Sequence, residues 1–310
     1  MSKNFYDSFH EAVKRHSDKP ALIFENQKMT YRELDQKTDV VAKALREQGV
    51  TEGDVLPILL NRSLDSVVAM IGILKSGAGF CNIDLEYPKE RIDFICGELD
   101  PKIQVDSAFM DTLHQEIQPQ DISTTDVLSD KNFTQEHQPL ATAVVVYTSG
   151  STGHPKGVIL PKQAMNLSLE GGLCGMGSDE TFLLVASLSF IGGIVYVLSP
   201  LATGLTLHLA NDSLRKDGQQ ILDYLRKNKI TMAFFPPQLA RFILENGDGL
   251  LTALLTGSEK VVDLYSEKTR IFNLYGASET FGPMVSFEID RPYMDGTPIG
   301  KAFPIGVPSM

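Results

Sequence analysis

The sequence predicts an α/β fold of layered, mostly parallel sheets flanked by helices. Strand-like and helix-like stretches alternate along much of the chain, the order that crossover connections between parallel strands require. The run Thr142-Ala143-Val144-Val145-Val146 is apolar and β-branched without alternation, the pattern of a strand buried on both faces. With 310 residues, 43% apolar and 22% charged, the chain can bury one large core or two smaller ones.

Taken in order, Phe5, Phe9, Ala12 and Val13 recur at helical spacing, and Ala21-Leu22-Ile23-Phe24 reads as a short strand. Thr30 and Glu33 form the capping box of a helix that Gly49 closes. A strand over 55–60 precedes a helix over 63–76 with Gly77 as its stop. Asn82-Ile83-Asp84 ends a further buried strand, and Pro88 starts a helix. Residues 106–140 are polar and weakly periodic, a short helix and a surface loop; any boundary between two subdomains is expected there. Beyond residue 160 the expected order is a helix from Lys162, strand 182–186, helix 193–201, strand 205–209, charged helix 214–227 and strand 231–235. A helix started by Pro236-Pro237 follows.

The most informative stretch is Tyr147-Thr148-Ser149-Gly150-Ser151-Thr152-Gly153-His154-Pro155-Lys156-Gly157. Its glycines allow backbone N–H groups to converge, Thr148, Ser149, Ser151 and Thr152 add hydroxyls, and Lys156 adds a cation, which is the composition of a polyphosphate cradle. A flexible Ser/Gly surface loop shares that composition, but here a buried strand leads in and Pro-Lys-Gly-Val leads into another apolar strand. It is not a Walker A loop, because Pro155 stands where a glycine is needed. Two later strand ends carry further chemistry. Leu254-Leu255-Thr256-Gly257-Ser258-Glu259 runs into a tight turn, and a strand through Asn273 and Leu274 is expected to end at Tyr275, with Gly276 permitting the turn and Ala277, Ser278 and Glu279 following. Tyr275 offers a ring for a purine, Ser278 a hydroxyl for a phosphate, and Glu279 a carboxylate for Mg²⁺, a hard cation that usually takes only one or two of them beside phosphate oxygens.

Residues 144–158 resemble the phosphate-binding motif of the adenylate-forming (AMP-binding) enzymes, the superfamily of acyl-CoA synthetases, luciferases and nonribosomal peptide synthetase adenylation domains. Thr30-Tyr31-Arg32-Glu33-Leu34 and Leu74-Lys75-Ser76-Gly77-Ala78-Gly79-Phe80 are similar to that group's first two adenylation motifs. The ending Tyr87-Pro88-Lys89-Glu90-Arg91-Ile92 is closer to peptide synthetases and D-alanine ligases than to acyl-CoA synthetases. The resemblance implies the N-terminal core of the adenylate-forming fold, with ATP and Mg²⁺ as cofactors and a carboxylic acid activated for transfer to the thiol of an acyl or peptidyl carrier protein. It also implies catalytic roles for Thr148, Lys156 and Glu279, the metal on Glu279, and adenine against Gly257-Ser258-Glu259. The acyl pocket it implies falls on Phe190, Ile191, Gly192, Val195, Gln238, Leu254, Thr256, Leu274 and Gly282. No nucleophilic side chain is needed, in keeping with six scattered histidines.

Two departures from the family pattern stand out. Amino-acid-activating members place an Asp where this chain has Ile191, and no implied pocket position is acidic. A buried ammonium without a carboxylate is costly, so the expected substrate lacks a standard α-amino group: a keto, hydroxy, aryl, fatty or β-amino acid. After Gly296-Thr297-Pro298-Ile299-Gly300-Lys301 the sequence stops at Met310. The ribose-binding Asp, the hinge and the small C-terminal subdomain with its Lys are expected to be supplied elsewhere or lost, with nucleotide binding weakened and adenylation by this chain slow or absent.

Charge and cysteine usage limit the alternatives. A net charge of −11, from 28 basic and 39 acidic residues, argues against nucleic acid as a partner. Cys81, Cys96 and Cys174 form no Cys-x-x-Cys pair, and with no apolar leader they point to a reduced, cytoplasmic setting. No charge falls between Glu180 and Asp212, a length that could span a bilayer, but Gly192, Gly193, Pro200 and Gly204 divide it into a strand, a helix and a strand. The alternatives to an adenylation core are an acyl- or aryl-CoA ligase fragment and a truncated, non-catalytic nucleotide-binding or interaction module.

Overall fold

The computed structural model describes residues 4–116, 139–148, 155–171 and 177–302, the last five of the third segment without side chains. The first helix, α1 (Phe5–His16), buries Phe5, Phe9, Ala12 and Val13 as their spacing predicts. A hairpin of β1 (Pro20–Phe24) and β2 (Gln27–Thr30) leads into α2 (Tyr31–Glu47). There the Thr30 hydroxyl accepts from the Glu33 N–H at 3.2 Å, and the Glu33 carboxylate accepts from the Thr30 N–H at 2.7 Å. Next come β3 (Val55–Leu59), α3 (Leu64–Ser76), β4 (Gly79–Asn82), α4 (Lys89–Leu99), β5 (Val105–Asp106) and α5 (Ser107–Glu116). The second half holds β6 (Thr142–Thr148), β7 (Lys156–Pro161), α6 (Lys162–Gly171), β8 (Thr181–Leu184), α7 (Ile191–Thr203), β9 (Thr206–Leu209) and α8 (Gly218–Asn228). It ends with β10 (Met232–Phe234), α9 (Pro237–Gly247), β11 (Ala253–Gly257), β12 (Arg270–Ala277), β13 (Gly282–Glu288) and β14 (Lys301–Ala302).

Two sheets result. One has nine strands in the order β14-β13-β12-β11-β10-β8-β9-β1-β2, and the other has five in the order β5-β3-β4-β6-β7. Their centres are parallel, while β2, β13, β14 and β7 add antiparallel edges. The largest apolar core runs between both sheets, from Phe5 on α1 through Val144 on β6 to Leu274 on β12. A second core lies on the other face of the nine-stranded sheet, under α8 and α9. The polar segment does not divide the sheets, because β5 before it and β6 after it belong to the same one. Residues 117–138 of that segment, and Cys174, lie outside the described residues.

One expectation is corrected. The charged stretch 214–227 is not one helix: a 3-10 turn (Leu214–Lys216) stops at Asp217, whose carboxylate accepts from the Gln219 and Gln220 N–H groups and so starts α8 afresh. The uncharged run after Glu180 is β8, α7 and β9, the expected strand, helix and strand, and no helix among the described residues is long and apolar enough to cross a membrane.

Arg62 ties the sheets together beyond β3. Its guanidinium donates to the Ala186 carbonyl at 2.7 Å and to the Leu184 carbonyl, holding the end of β8 and the loop that leads to Phe190. On β9, buried His208 shares a 3.0 Å hydrogen bond with the Tyr224 hydroxyl of α8, and burial pushes its pKa down to about 4. A depressed histidine is neutral in the folded state while the unfolded chain binds a proton, so its contribution is complete above the ordinary value of 6.5 and is lost as pH falls toward 4. Between those limits the folding free energy should drop by up to about 3 kcal/mol more than in His208→Gln. Urea midpoints of the two proteins across that window will show it; parallel pH profiles would refute it.

Candidate functional site

A cavity of 620 Å³ opens where β11 and β12 end and α7 begins. Parallel sheets place ligands at such carboxyl ends. Close backbone approach shapes the opening. Gly257 ends β11 with φ +154, and a Cβ there would sit 2.1 Å from the Leu274 carbonyl oxygen of β12. Gly276 lies as near to β13, since its Cβ would fall 2.0 Å from the Gly282 carbonyl oxygen. The expected turn at Gly276 is corrected accordingly: β12 continues to Ala277, and the chain turns through a 3-10 segment (Ser278–Thr280) that ends at Phe281 with φ 59. Gly276 serves close packing rather than the turn.

The cavity brings together many residues singled out from the sequence. Ser258 and Glu259 line it from the turn after β11; Asn273, Leu274, Tyr275, Gly276, Ala277 and Ser278 line it from β12 onward. Phe190, Ile191 and Gly192 contribute from the first turn of α7, and Gly282 from β13. Tyr275 is 58% exposed, a ring free to be covered. Asn273 is buried and donates to the Pro298 carbonyl at 2.9 Å, which fixes the segment carrying Thr297 at the cavity wall. The Thr297 hydroxyl is buried with no hydrogen-bond partner among the described residues. Such a group is costly to leave unpaired and is suited to a ligand.

The phosphate-cradle stretch is only partly described. Ser149, Gly150, Ser151, Thr152 and Gly153 lie outside the described residues. Its flanks are clear: β6 runs past Val146 to Thr148, and β7 begins at Lys156, with Thr148 directly opposite Lys156 across an antiparallel ladder. Tyr147, Thr148, Lys156 and Gly157 therefore belong to the two strands rather than to the loop expected between them. The Ser278–Thr280 turn, which carries exposed Glu279, packs against β7, their Cα atoms coming within 8 Å. Glu279 and the strand that starts at Lys156 thus share one side of the molecule.

Four implied pocket positions do not line the cavity. Leu254 packs into the core under α8 and α9, whereas its neighbours Ala253 and Leu255 face the core beneath α7. Successive strand residues point to opposite faces, so Thr256 turns the same way as Leu254, and the α7 side falls to Leu255 and Gly257. Val195 is fully buried within the main core, and Gln238 is exposed on the first turn of α9. In their place the wall holds Tyr196 and Phe234. Helical spacing from Gly192 could have found Tyr196, one turn further along the same face, and alternation along β10 could have found Phe234. Lys260, Val261, Pro283, Thr297 and Ile299 also line the cavity, mostly from segments without a periodic signal.

This layered core, with its cavity at the strand ends, defines the N-terminal part of the adenylate-forming fold. The N-terminal subdomain of NpsA from Klebsiella oxytoca, solved in complex with 3-hydroxyanthranilyl-AMSN, superposes with a TM-score of 0.82 at 23% identity, covering 97% of this chain and 80% of that one. A family model described as AMP-binding enzyme matches residues 9–308, so the chain belongs to that family. Its relatives include Bacitracin synthase 1 of Bacillus licheniformis, 33% identical over 310 residues, with 96% of this chain and 6% of that protein covered. Surfactin synthase subunit 2 of Bacillus subtilis (strain 168) is 31% identical over 312 residues, with 97% and 9% covered. The chain thus spans less than a tenth of the length of either synthase.

Gly257→Ala should lower stability by on the order of 2–4 kcal/mol, because the added Cβ meets backbone and the φ suits glycine alone. Gly97→Ala, on an exposed face of α4 with nothing within 4 Å, should stabilise by about 0.5–1 kcal/mol. Chemical denaturation of the two variants provides the comparison.

Proposed function

We propose that this chain is the N-terminal core of an adenylation domain that activates a carboxylic acid with ATP for transfer to a carrier-protein thiol. The observation that carries the reading is the single cavity shared by the Ser258-Glu259 turn, the end of β12 and the start of α7, beside the strand that begins at Lys156. In this reading Tyr275 and the Gly257-Ser258-Glu259 turn hold the purine, Asn273 and Ala277 border it, and the stretch Thr148 to Lys156, with Ser278, holds the phosphates.

The reaction joins two anions, so the site must position and neutralise. A carboxylate oxygen of the substrate attacks the α-phosphorus; the new acyl–phosphate bond forms as the bond to the β-phosphate breaks and pyrophosphate leaves. Lys156 offsets charge on the phosphates, and Thr148 donates a hydroxyl. Among the described residues no three His, Cys, Asp or Glu side chains cluster as a metal cage. One exposed carboxylate, Glu279, fits Mg²⁺, which keeps water and phosphate oxygens as its other ligands. Bound there, Mg²⁺ would supply charge neutralisation. The acid is one without an α-ammonium, since Ile191 stands at the start of α7. A C-terminal subdomain and an acyl or peptidyl carrier protein complete the cycle, and a reduced cytoplasmic setting suits the free thiols Cys81 and Cys96.

Titration calorimetry with ATP and with AMP, with and without Mg²⁺, tests the reading. Lys156→Ala should weaken ATP about tenfold and AMP little, and Glu279→Gln should remove the Mg²⁺ dependence. No binding of either nucleotide, or equal loss of both in Lys156→Ala, would overturn it.

A further inference from the structure

We infer that the acyl end of the cavity selects an uncharged aromatic carboxylic acid, an inference that rests on the acyl-adenylate reading. Three rings form a continuous stack: Phe182 to Tyr196 at 5.4 Å and 21°, then Tyr196 to Phe234 at 5.1 Å and 25°. Phe182 is fully buried, and the stack ends at Phe234, which lines the cavity and has no further ring partner among the described residues. A flat substrate ring laid there extends the series in the offset geometry that aromatic pairs favour.

The surrounding wall supports a planar, uncharged guest. Ile191 and Leu274 are both nearly buried and both line the space, so the walls beside the ring are aliphatic. Gly192 lets the Phe190 ring lie against bare backbone, since a Cβ at 192 would come 2.8 Å from that ring. Phe190 itself is 45% exposed, an aromatic rim at the entrance. The only Asp, Glu, Lys, Arg or His side chains among the described lining residues, Glu259 and Lys260, belong to the turn after β11, at the end assigned to the nucleotide. An ammonium at the acyl end would meet apolar walls and the partial positive charge of the first turn of α7, with no carboxylate to offset either.

The full chain is titrated calorimetrically with 5′-O-sulfamoyladenosine and with its benzoyl, cyclohexanecarbonyl and phenylalanyl derivatives, stable mimics of an acyl-adenylate. The benzoyl compound should bind about fivefold more tightly than the cyclohexanecarbonyl compound and at least about tenfold more tightly than the phenylalanyl compound. Phe234→Leu should abolish the advantage over the saturated ring, and Ile191→Asp should reverse the order against the ammonium-bearing compound. Equal binding of the benzoyl and saturated compounds, or a preference of the unmodified protein for the phenylalanyl compound, overturns the inference. If the parent binds and no acyl group improves on it, the inference fails alone; if the parent does not bind, the acyl-adenylate reading fails with it.

Discussion

The candidate site depends on backbone approaching backbone more closely than any side chain allows. At Gly257 the end of β11 presses on the Leu274 carbonyl, at Gly276 the end of β12 presses on β13, and at Gly193 the first turn of α7 lies against the Ser187 carbonyl, where a Cβ would sit only 1.9 Å away. Each contact removes side-chain bulk from the place where three elements converge, and the space above them becomes the cavity. The buried cores fix the directions of these elements, but the missing Cβ atoms decide that their ends meet around an opening rather than around packed side chains.

The cavity is also divided chemically. The turn after β11 and the end of β12 bring exposed polar groups and a free aromatic face, and the segment beyond β13 adds the Thr297 hydroxyl, which has no partner among the described residues. The α7 end brings Ile191, Leu274 and the end of a ring stack. The sheet itself makes this division. Phe272 and Leu274 point to the main core beneath α7, while Ile271 on the same strand points to the core under α8 and α9. A ligand spanning the cavity therefore meets polar surroundings at one end and apolar ones at the other, as a nucleotide joined to an uncharged acyl group would require.

Much of this was legible because it rests on local chemistry. The capping box at Thr30 and Glu33, the stop at Gly77 and the buried run ending at Val146 each encode an element within a few residues, and the structure contains all three. The strand ends bearing Ser258, Tyr275 and Ser278 were legible as sites because unusual residues cluster there. What was not legible depended on register or on distant partners. A shift of one residue along β11 exchanges Leu254 and Thr256 for Leu255 and Gly257 on the cavity side, and no local signal fixes it. Tyr196 and Phe234 become neighbours only when α7 folds over β10, nearly forty residues apart in the chain. The split at Asp217 was missed because a charged, periodic stretch hides a cap inside it.

The relation between the two sheets decides how Lys156 and Glu279 come to lie on one side of the molecule, beside the cavity. Lys156 begins an edge strand of the five-stranded sheet, and Glu279 lies in a turn off the nine-stranded one, so their separation depends on how the sheets are joined. One join is apolar, the core that runs from Phe80 and Val144 to Leu274 and Phe281. Apolar packing is non-directional and would tolerate small slides between the layers. Arg62 adds direction: a half-buried guanidinium that follows β3 and donates to the Leu184 carbonyl at the end of β8 and the Ala186 carbonyl just beyond it has its geometry set by hydrogen bonds. Burial lowers its pKa only to about 10, so it remains charged at neutral pH, and those two bonds keep the charge-assisted strength that resists such a slide.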